Sequence, residues 1–359
     1  AYLTPLGFEV APTGSGMAEV VVPSWRPDTH REIDVIEEVA RHHGYGSIPR
    51  TRPTSPRVGG LSPHQRGRRA VRAALVGLGV SEAWTSSMVS PEDHQAVGLA
   101  GPAIEIENPL AREESVLRAT LLPGLLKALA ANAARGEEDV ALFEVGNVFA
   151  PPGPGQALAD ERERVALALG REGDDARRAV VAWRALADTL RLARVELLAA
   201  APPGLHPTRS ARVVAGEADL GVVGEVDPAV AAAFGLPGRR VGWVELDLGG
   251  LLGAPRRPEA AAPVSRFPAG TFDLAFVVED GVPAGRVQAT LEAAAGELLE
   301  AVWLFDVYRG PQLGPGRRSL AYRLRLAALD HTLTDEELGS VRARCVAAVA
   351  SAHGAELRG

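Results

Sequence analysis

Residues 301–326 read AVWLFDVYRGPQLGPGRRSLAYRLRL, two apolar runs on either side of a loop rich in Gly and Pro. Apolar runs of this length bounded by turn residues predict two β-strands. In the second run, alternation places four large side chains on one face, which predicts a strand with one buried side. These are Leu320, Tyr322, Leu324 and Leu326.

The stretches that flank this pair of strands complete a recognisable order of secondary-structure elements along the chain. They are TFDLAFVVED (271–280), GVPAGRVQATLEAAAGEL (281–298), TDEELGSVRARCVAAVASAHG (334–354) and AELRG (355–359). In turn they predict a strand, a helix, a second helix and a short final strand. Thr334 followed by Glu337 is a capping box for the second helix. The order β-α-β-β-α-β predicts a ferredoxin-like domain.

The rest of the chain divides at two Pro-rich connectors, TRPTSPRVGG (51–60) and GAPRRPEAAAPV (253–264). Before the first connector, a β-like stretch, AEVVVP, precedes one helix that ends at Gly44 and Gly46. Between the connectors, helical stretches such as SVLRATLLPGLLKALAANAARG mix with β stretches such as DVALFEVGNVFA. The sequence predicts a multidomain α+β chain, with domains at 1–52, 61–255 and 264–359.

Composition is that of an ordinary globular protein, because 46% of the 359 residues are hydrophobic and 23% are charged. A net charge of -7 argues weakly against a chain coated in nucleic acid, although a local patch can override it. The single Cys345 excludes an internal disulfide framework and fits a reducing cytoplasm. No membrane span or secretory signal is visible. The chain starts without Met inside structured sequence, so we expect a piece of a longer protein.

Five acids lie within residues 28–38 near the first helix, and four of them are the candidate set: Asp28, Asp34, Glu37 and Glu38. Projection at 100° per residue puts Asp34, Glu37 and Glu38 on one face and Asp28 at the N-cap. The opposite, apolar face should meet a core; it consists of Ile33, Val35, Ile36, Val39 and Ala40. A solvated face in which Glu37 pairs with Arg41 is one interpretation. A divalent cation held by carboxylates is the other, and spacing alone leaves both open.

Five arginines cluster in the last domain: Arg309, Arg317, Arg318, Arg323 and Arg325. Arg323 and Arg325 share the strand face opposite the leucines, at a separation that suits neighbouring phosphates. Tyr308 could add a surface on which an unpaired base stacks. However, ten Arg face twelve Asp and Glu from residue 265 onward. Arginines that simply face solvent therefore remain an alternative to RNA binding.

Signatures of catalysis are not found. The sequence has no GxSxG, HExxH, paired CxxC or P-loop motif. On its residues alone, the chain is predicted to be a multidomain binding protein with no catalytic residue.

Several long motifs resemble the bacterial phenylalanine–tRNA ligase beta subunit family, in the family's order. VVPSWRPDTHREIDVIEEVARHHGYGSIPR resembles one small domain. IEIENPLAREESVLRATLLPGLLKALAANAARG, ALFEVGNVF, LHPTRSARVV and GEVDP resemble the synthetase-like domain. DLAFVVEDGV, LFDVYRG, GPGRRSLAYRLRL and HTLTDEEL resemble the anticodon-binding domain.

The resemblance implies three domains: a partial small α/β domain, a class II synthetase-like antiparallel sheet with helices, and the ferredoxin-like domain. It implies a subunit that joins an alpha subunit in an (αβ)2 assembly, binds tRNA(Phe) and works in the cytoplasm, away from membranes. ATP would be a substrate of the complex, with the active site on the alpha subunit. The stretch FEVGNVF agrees with an active site outside this chain, since it lacks the Arg-x-Glu motif with which a working class II enzyme binds ATP. The family's proofreading domains precede the first motif, so no editing is expected.

The resemblance also assigns residues. Asp28, Asp34, Glu37 and Glu38 match acids that bind Mg²⁺ at a site shared with the alpha subunit. Two departures weaken the case for tRNA contact: Phe272-Asp273 replaces a basic-acidic pair, and His331 replaces an arginine. The alternative, a stand-alone RNA-binding or scaffold protein that reuses these domains, stays open.

Overall fold

The computed structural model describes residues 1–51, 59–193, 195–259 and 263–358. The chain forms two compact units, 1–60 and 61–359. Parts of both predicted connectors, residues 52–58 and 260–262, lie outside the described residues, as does the terminal Gly359.

The described part of the first unit contains a hairpin and one α-helix, with short 3-10 helices at Thr4–Leu6 and Tyr45–Ser47. Strands β1 (Glu9–Gly14) and β2 (Met17–Val21) pair antiparallel, and helix α1 spans Glu32–His43. The helix ends at Gly44, as predicted. Leu3 and Phe8 provide the buried apolar side chains of this unit.

The start of α1 differs from the prediction. Arg31 is the N-cap residue, so Asp28 lies three residues too early to cap the helix. Asp34 takes this role, because its Oδ2 accepts hydrogen bonds from the backbone N–H groups of His30 and Arg31 at 2.9 and 2.8 Å. A carboxylate in the first turn can reach back to N–H groups that the helix leaves unpaired.

The predicted apolar face of α1 is also wrong in part. Ile33 and Ile36 are 58% and 51% exposed, whereas Glu38, predicted to lie on the polar face, is only 8% exposed. The guanidinium of Arg26 lies over the ring of Phe8 and pairs with Glu38. An ion pair, rather than the isoleucines, therefore covers the buried ring on this side of the unit.

The first elements of the second unit are α2 (Pro63–Gly77), β3 (Ser81–Glu82), β4 (Met88–Val89), α3 (Pro91–Ala96), β5 (Val116–Leu117), α4 (Leu122–Ala133), β6 (Ala141–Ala150), β7 (Asp160–Leu169), α5 (Ala176–Thr189), β8 (Val195–Ala199), β9 (Leu205–Ala215), β10 (Ala218–Val226), α6 (Pro228–Ala233), β11 (Gly242–Asp247) and α7 (Leu248–Gly253). Seven of these strands form one sheet in the order β3-β6-β7-β11-β10-β9-β8, antiparallel except between β3 and β6. The predicted antiparallel sheet with helices is confirmed.

Helices cover both faces of this sheet. One face packs against α2, α5 and α7 around the buried Trp183, and the other against α4 around Trp243. The stretch predicted as helical from Ser115 becomes helical only at Leu122, because Val116 and Leu117 pair with β4 instead.

The ferredoxin-like prediction is confirmed. The elements are β12 (Gly270–Glu279), α8 (Ala284–Ala295), β13 (Leu299–Tyr308), β14 (Arg317–Leu326), α9 (Asp335–His353) and β15 (Glu356–Leu357). The strands form one sheet in the order β13-β14-β12-β15. The alternating Leu320, Tyr322, Leu324 and Leu326 are fully buried beneath α8 and α9. Thr334 and Glu337 form the predicted capping box.

No helix of the described residues combines the length and the apolar character needed to cross a membrane.

Candidate functional site

The face of the ferredoxin-like sheet that points away from α8 and α9 is the candidate RNA surface, here called the open face. Strand alternation places Arg317, Arg323 and Arg325 on it, opposite the buried leucines. Arg318 lies on the helix side, where it donates a hydrogen bond to the carbonyl of Val282 at 2.7 Å. Arg309 follows β13 and is exposed.

The five predicted arginines do not form one cluster. Arg317 and Arg318 begin β14, and Arg309 follows the end of β13, which pairs with that part of β14. Arg323 and Arg325 lie towards the other end of β14. At the usual rise of a strand, Arg317 and Arg325 are roughly 27 Å apart. A phosphate backbone, rather than one phosphate, would be needed to contact both groups.

Acidic partners hold the exposed arginines in place. Arg323 binds both carboxylate oxygens of Asp273, at 2.7 and 2.8 Å, and thereby lowers the pKa of Asp273. The other pairs are Arg325 with Glu300 (2.6 Å), Arg317 with Glu356 (2.9 Å) and Arg309 with Asp280 (3.2 Å). Exposed pairs of this kind contribute about 0–1 kcal/mol, so a phosphate can replace the acid at small cost.

Tyr308 is held in a fixed position beside these arginines. Its hydroxyl accepts a hydrogen bond from Gln312 Nε2 at 2.6 Å, and the guanidinium of Arg358 lies 4.9 Å from its ring centre. A Cβ at Gly310 would clash with the tyrosine hydroxyl, so only glycine allows this placement. A fixed ring costs little entropy when a base stacks on it.

Three further side chains of this region are not among the predicted ones: Arg358, Trp303 and Phe305. The guanidinium of Arg323 lies 5.3 Å from the centre of the Phe305 ring. Trp303 is paired in register with Arg323, and a β-bulge follows between Leu304 and Asp306. The alternation of Trp303 and Phe305 in AVWLFDVY is the sequence signal that could have identified the two rings.

In the acidic cluster, Arg26 brings Asp28 and Glu38 together. Its Nη2 lies 2.7 Å from an oxygen of each carboxylate, and Arg41 Nη2 lies 2.6 Å from the second oxygen of Glu38. Hydrogen bonds from Arg26 lower the pKa of Asp28 to about 2 and, with a second bond from Arg41, that of Glu38 to about 2. Arg41 thus pairs with Glu38, not with Glu37.

The other two acids lie apart from this ion pair. Asp34 binds the backbone at the start of α1, which lowers its pKa, and Glu37 is exposed. Within the described ranges, no group of three or more His, Cys, Asp or Glu side chains is placed to hold a metal ion. As arranged, three of the four carboxylates are engaged by arginines or backbone N–H groups, which does not fit direct coordination by all four.

Two buried carboxylates lie on the α4 side of the seven-stranded sheet. Glu144 and Glu245 face Ala166 of β7 from its two neighbouring strands. Glu144 is bound by Arg118 (2.8 Å) and Thr85 (2.6 Å), and Glu245 by Thr120 (2.5 Å). Leucines of α4 fill the space above Ala166. The arrangement is a set of mutually satisfied polar groups beneath an apolar helix.

His331 forms a small charged network at the start of α9. Its Nδ1 lies 2.7 Å from Asp330 and its Nε2 lies 2.9 Å from Glu337, the capping residue. Hydrogen bonds to Asp330 and then Glu337 raise the pKa of His331.

This network should make the cap of α9 sensitive to pH. A raised histidine pKa stabilises the fold below the unfolded value of 6.5, and the benefit is lost as pH rises through the folded value. We expect the stability difference between the native chain and His331→Gln to be largest below pH 6.5 and to fall above it. Thermal unfolding of both proteins across this range measures it; a difference independent of pH would contradict the network.

Three family models match consecutive parts of the chain. The family model described as the phenylalanyl tRNA synthetase beta chain CLM domain matches residues 48–248, more than half of the chain. The chain belongs to the phenylalanyl-tRNA synthetase beta chain family. The ferredoxin-fold anticodon binding domain matches residues 265–358, and the tRNA synthetase B5 domain matches residues 1–45.

Individual relatives agree with the family assignment. The phenylalanine–tRNA ligase beta subunit of Thermobifida fusca is 39% identical, over 100% of this chain and 48% of its own length. Those of Geobacillus kaustophilus and Streptomyces avermitilis are 37% and 40% identical, over 96% and 94% of this chain and 44% and 45% of theirs. The chain therefore spans about half the length of the curated relatives it matches.

Proposed function

We propose that this chain acts within a phenylalanine–tRNA ligase beta subunit, where it binds tRNA and supports the alpha subunit that carries the active site. The names of relatives that match the whole chain support this role. We further propose domains at 1–52, 61–255 and 264–359, an (αβ)2 assembly, and a cytoplasmic location.

The open face carries the tRNA-binding part of the proposal. It combines Tyr308, fixed by neighbours, with Arg323 and Arg325, whose acidic partners a phosphate can replace. Arginine and an aromatic ring on one sheet face suit a single-stranded loop of RNA. The experiment is binding of labelled tRNA(Phe) to the 359-residue chain at several salt concentrations. We expect affinity to fall as salt rises; no binding at low salt would contradict the proposal.

ATP is proposed as a substrate of the complex, and Mg²⁺ as a cation bound near Asp28, Asp34, Glu37 and Glu38 where the alpha subunit meets this chain. Arg26 now links Asp28 to Glu38, so direct contact of a cation with both would require this guanidinium to move. Binding through water, which Mg²⁺ favours, needs fewer free carboxylates.

The double substitution Asp34→Ala with Glu38→Ala tests the magnesium set. We expect it to weaken association with the alpha subunit in Mg²⁺ and to have little effect in chelator, because only the first condition uses the cation. Glu9→Ala with Glu19→Ala, which removes the same charge from the exposed hairpin, is the matched control. Equal weakening in both buffers would leave ion pairs alone as the explanation.

A further inference from the structure

A cavity of about 710 Å³ lies inside the second unit, between its seven-stranded-sheet part and its ferredoxin-like part. Helix α5 and strand β9 form one wall, and strand β13 with the start of α8 forms the other. This volume is in the range of cavities that bind small molecules or single nucleotides. None of the residues proposed above for tRNA or magnesium lines it.

The first wall is basic. Arg177 and Arg184 lie seven positions apart on α5, so they share one helix face, with the exposed Val181 between them. In the part of the chain that the structure describes, neither arginine is in an ion pair. Arg209 from β9 also lines the cavity but is engaged by the buried Glu225 at 2.9 Å. Asp306 is the one carboxylate among the lining residues, against three arginines.

The second wall is aromatic. Trp303 and Phe305 line the cavity and are 41% and 49% exposed. Large aromatic side chains at this exposure lie opposite Arg177 and Arg184, which form no ion pair within the described ranges. A ligand with a planar ring and an anionic group would complete this arrangement. A nucleotide has both parts, since its base stacks on an aromatic ring and its phosphate pairs with arginine.

We propose that this cavity binds a nucleotide of single-stranded RNA, with the base on Trp303 or Phe305 and the phosphate at Arg177 and Arg184. The inference rests on the proposed function in one respect: β13 joins the cavity to the open face. Trp303 is paired in register with Arg323, and the ring of Phe305 lies beneath the Arg323 guanidinium. An RNA strand bound to the open face can therefore continue past β13 into the cavity.

The test measures binding of a fluorescein-labelled single-stranded RNA hexamer to the 359-residue chain by anisotropy. Arg184→Glu should weaken binding about tenfold and flatten the slope of log Kd against log salt by roughly 0.7. Arg178→Glu is the matched control, because Arg178 is exposed on the same helix and does not line the cavity. Equal losses in the two variants would overturn the proposal, since only overall charge would then matter.

The aromatic wall is tested with the same probe. Trp303→Ala should weaken binding by about tenfold, the effect of losing one stacked base. Trp84→Ala, which removes a tryptophan that is 97% exposed elsewhere in the unit, should leave it unchanged. An effect of Trp84→Ala as large as that of Trp303→Ala would overturn the assignment. Tyr308→Ala separates the two proposals, because Tyr308 belongs to the open face and does not line the cavity. If Tyr308→Ala leaves tRNA(Phe) binding unchanged, the open-face proposal is contradicted. The effect of Arg184→Glu on binding of the hexamer tests the cavity alone.

Discussion

Replacing Arg118 by Ala is expected to lower the free energy of unfolding of the second unit by about 3–5 kcal/mol. Arg118 and Glu144 are 3% and 1% exposed and are joined at 2.8 Å. Among the described residues, the substitution leaves the buried Glu144 carboxylate with Thr85 as its one hydrogen-bond donor. The guanidinium also packs closely against Gly146, where a Cβ would clash with it, and this contact is lost as well. Urea unfolding followed by circular dichroism measures the loss.

Two controls sharpen this prediction. Arg118→Met combined with Glu144→Leu removes both charges and should recover most of the loss, since an apolar pair needs no partner. Arg112→Ala breaks an ion pair with Glu92 in which both side chains are exposed. This substitution should lower the free energy of unfolding by less than about 1 kcal/mol. If Arg118→Ala costs no more than Arg112→Ala, the buried pair does not stabilise the sheet in the way described.

Reversing the charge of Arg323 and Arg325 together is expected to weaken tRNA(Phe) binding at least about tenfold and to flatten its salt dependence. Each glutamate would replace a phosphate contact and would also face the existing acid, Asp273 or Glu300. Anisotropy titrations at several salt concentrations measure both effects. An unchanged salt slope would remove these two arginines from the contact surface.

The ion pairs provide a test in the opposite direction. Asp273→Asn with Glu300→Gln keeps the shape of each partner and removes its charge, so both arginines become available to phosphate. We expect tRNA binding to tighten roughly two- to fivefold. This gain corresponds to the small free energy of the two exposed ion pairs, which no longer compete with phosphate. Weaker binding in this variant would mean that the acids orient the arginines for RNA instead of competing with it.

The ferredoxin-like domain could be predicted from sequence because its signals are local. Alternation in SLAYRLRL and the capping box at Thr334 each depend on neighbours within one element. The partners of the arginines could not be predicted in this way. Arg323 pairs with Asp273, fifty positions earlier, and strand register alone brings the two together.

Helix α1 shows more clearly that local sequence signals do not predict contacts with residues outside the element. Periodicity predicts which side chains of α1 are helical neighbours, but it cannot say which of them a group outside the helix covers. Arg26, which lies outside the helix, pairs with the buried Glu38, whereas Ile33 is exposed. The pair of Glu144 with Arg118 also joins distant parts of the chain, although a lone charge inside the apolar run ALFEV is a sequence signal for a buried ion pair.

Co-expression with the alpha subunit of a family member tests the central claim, that this chain acts as part of a beta subunit. The chain should carry the affinity tag, and size-exclusion chromatography should be run once in Mg²⁺ and once in chelator. We expect a stable complex of both chains, held more tightly in Mg²⁺. Two separate peaks in both buffers would contradict the account and favour a stand-alone RNA-binding or scaffold protein.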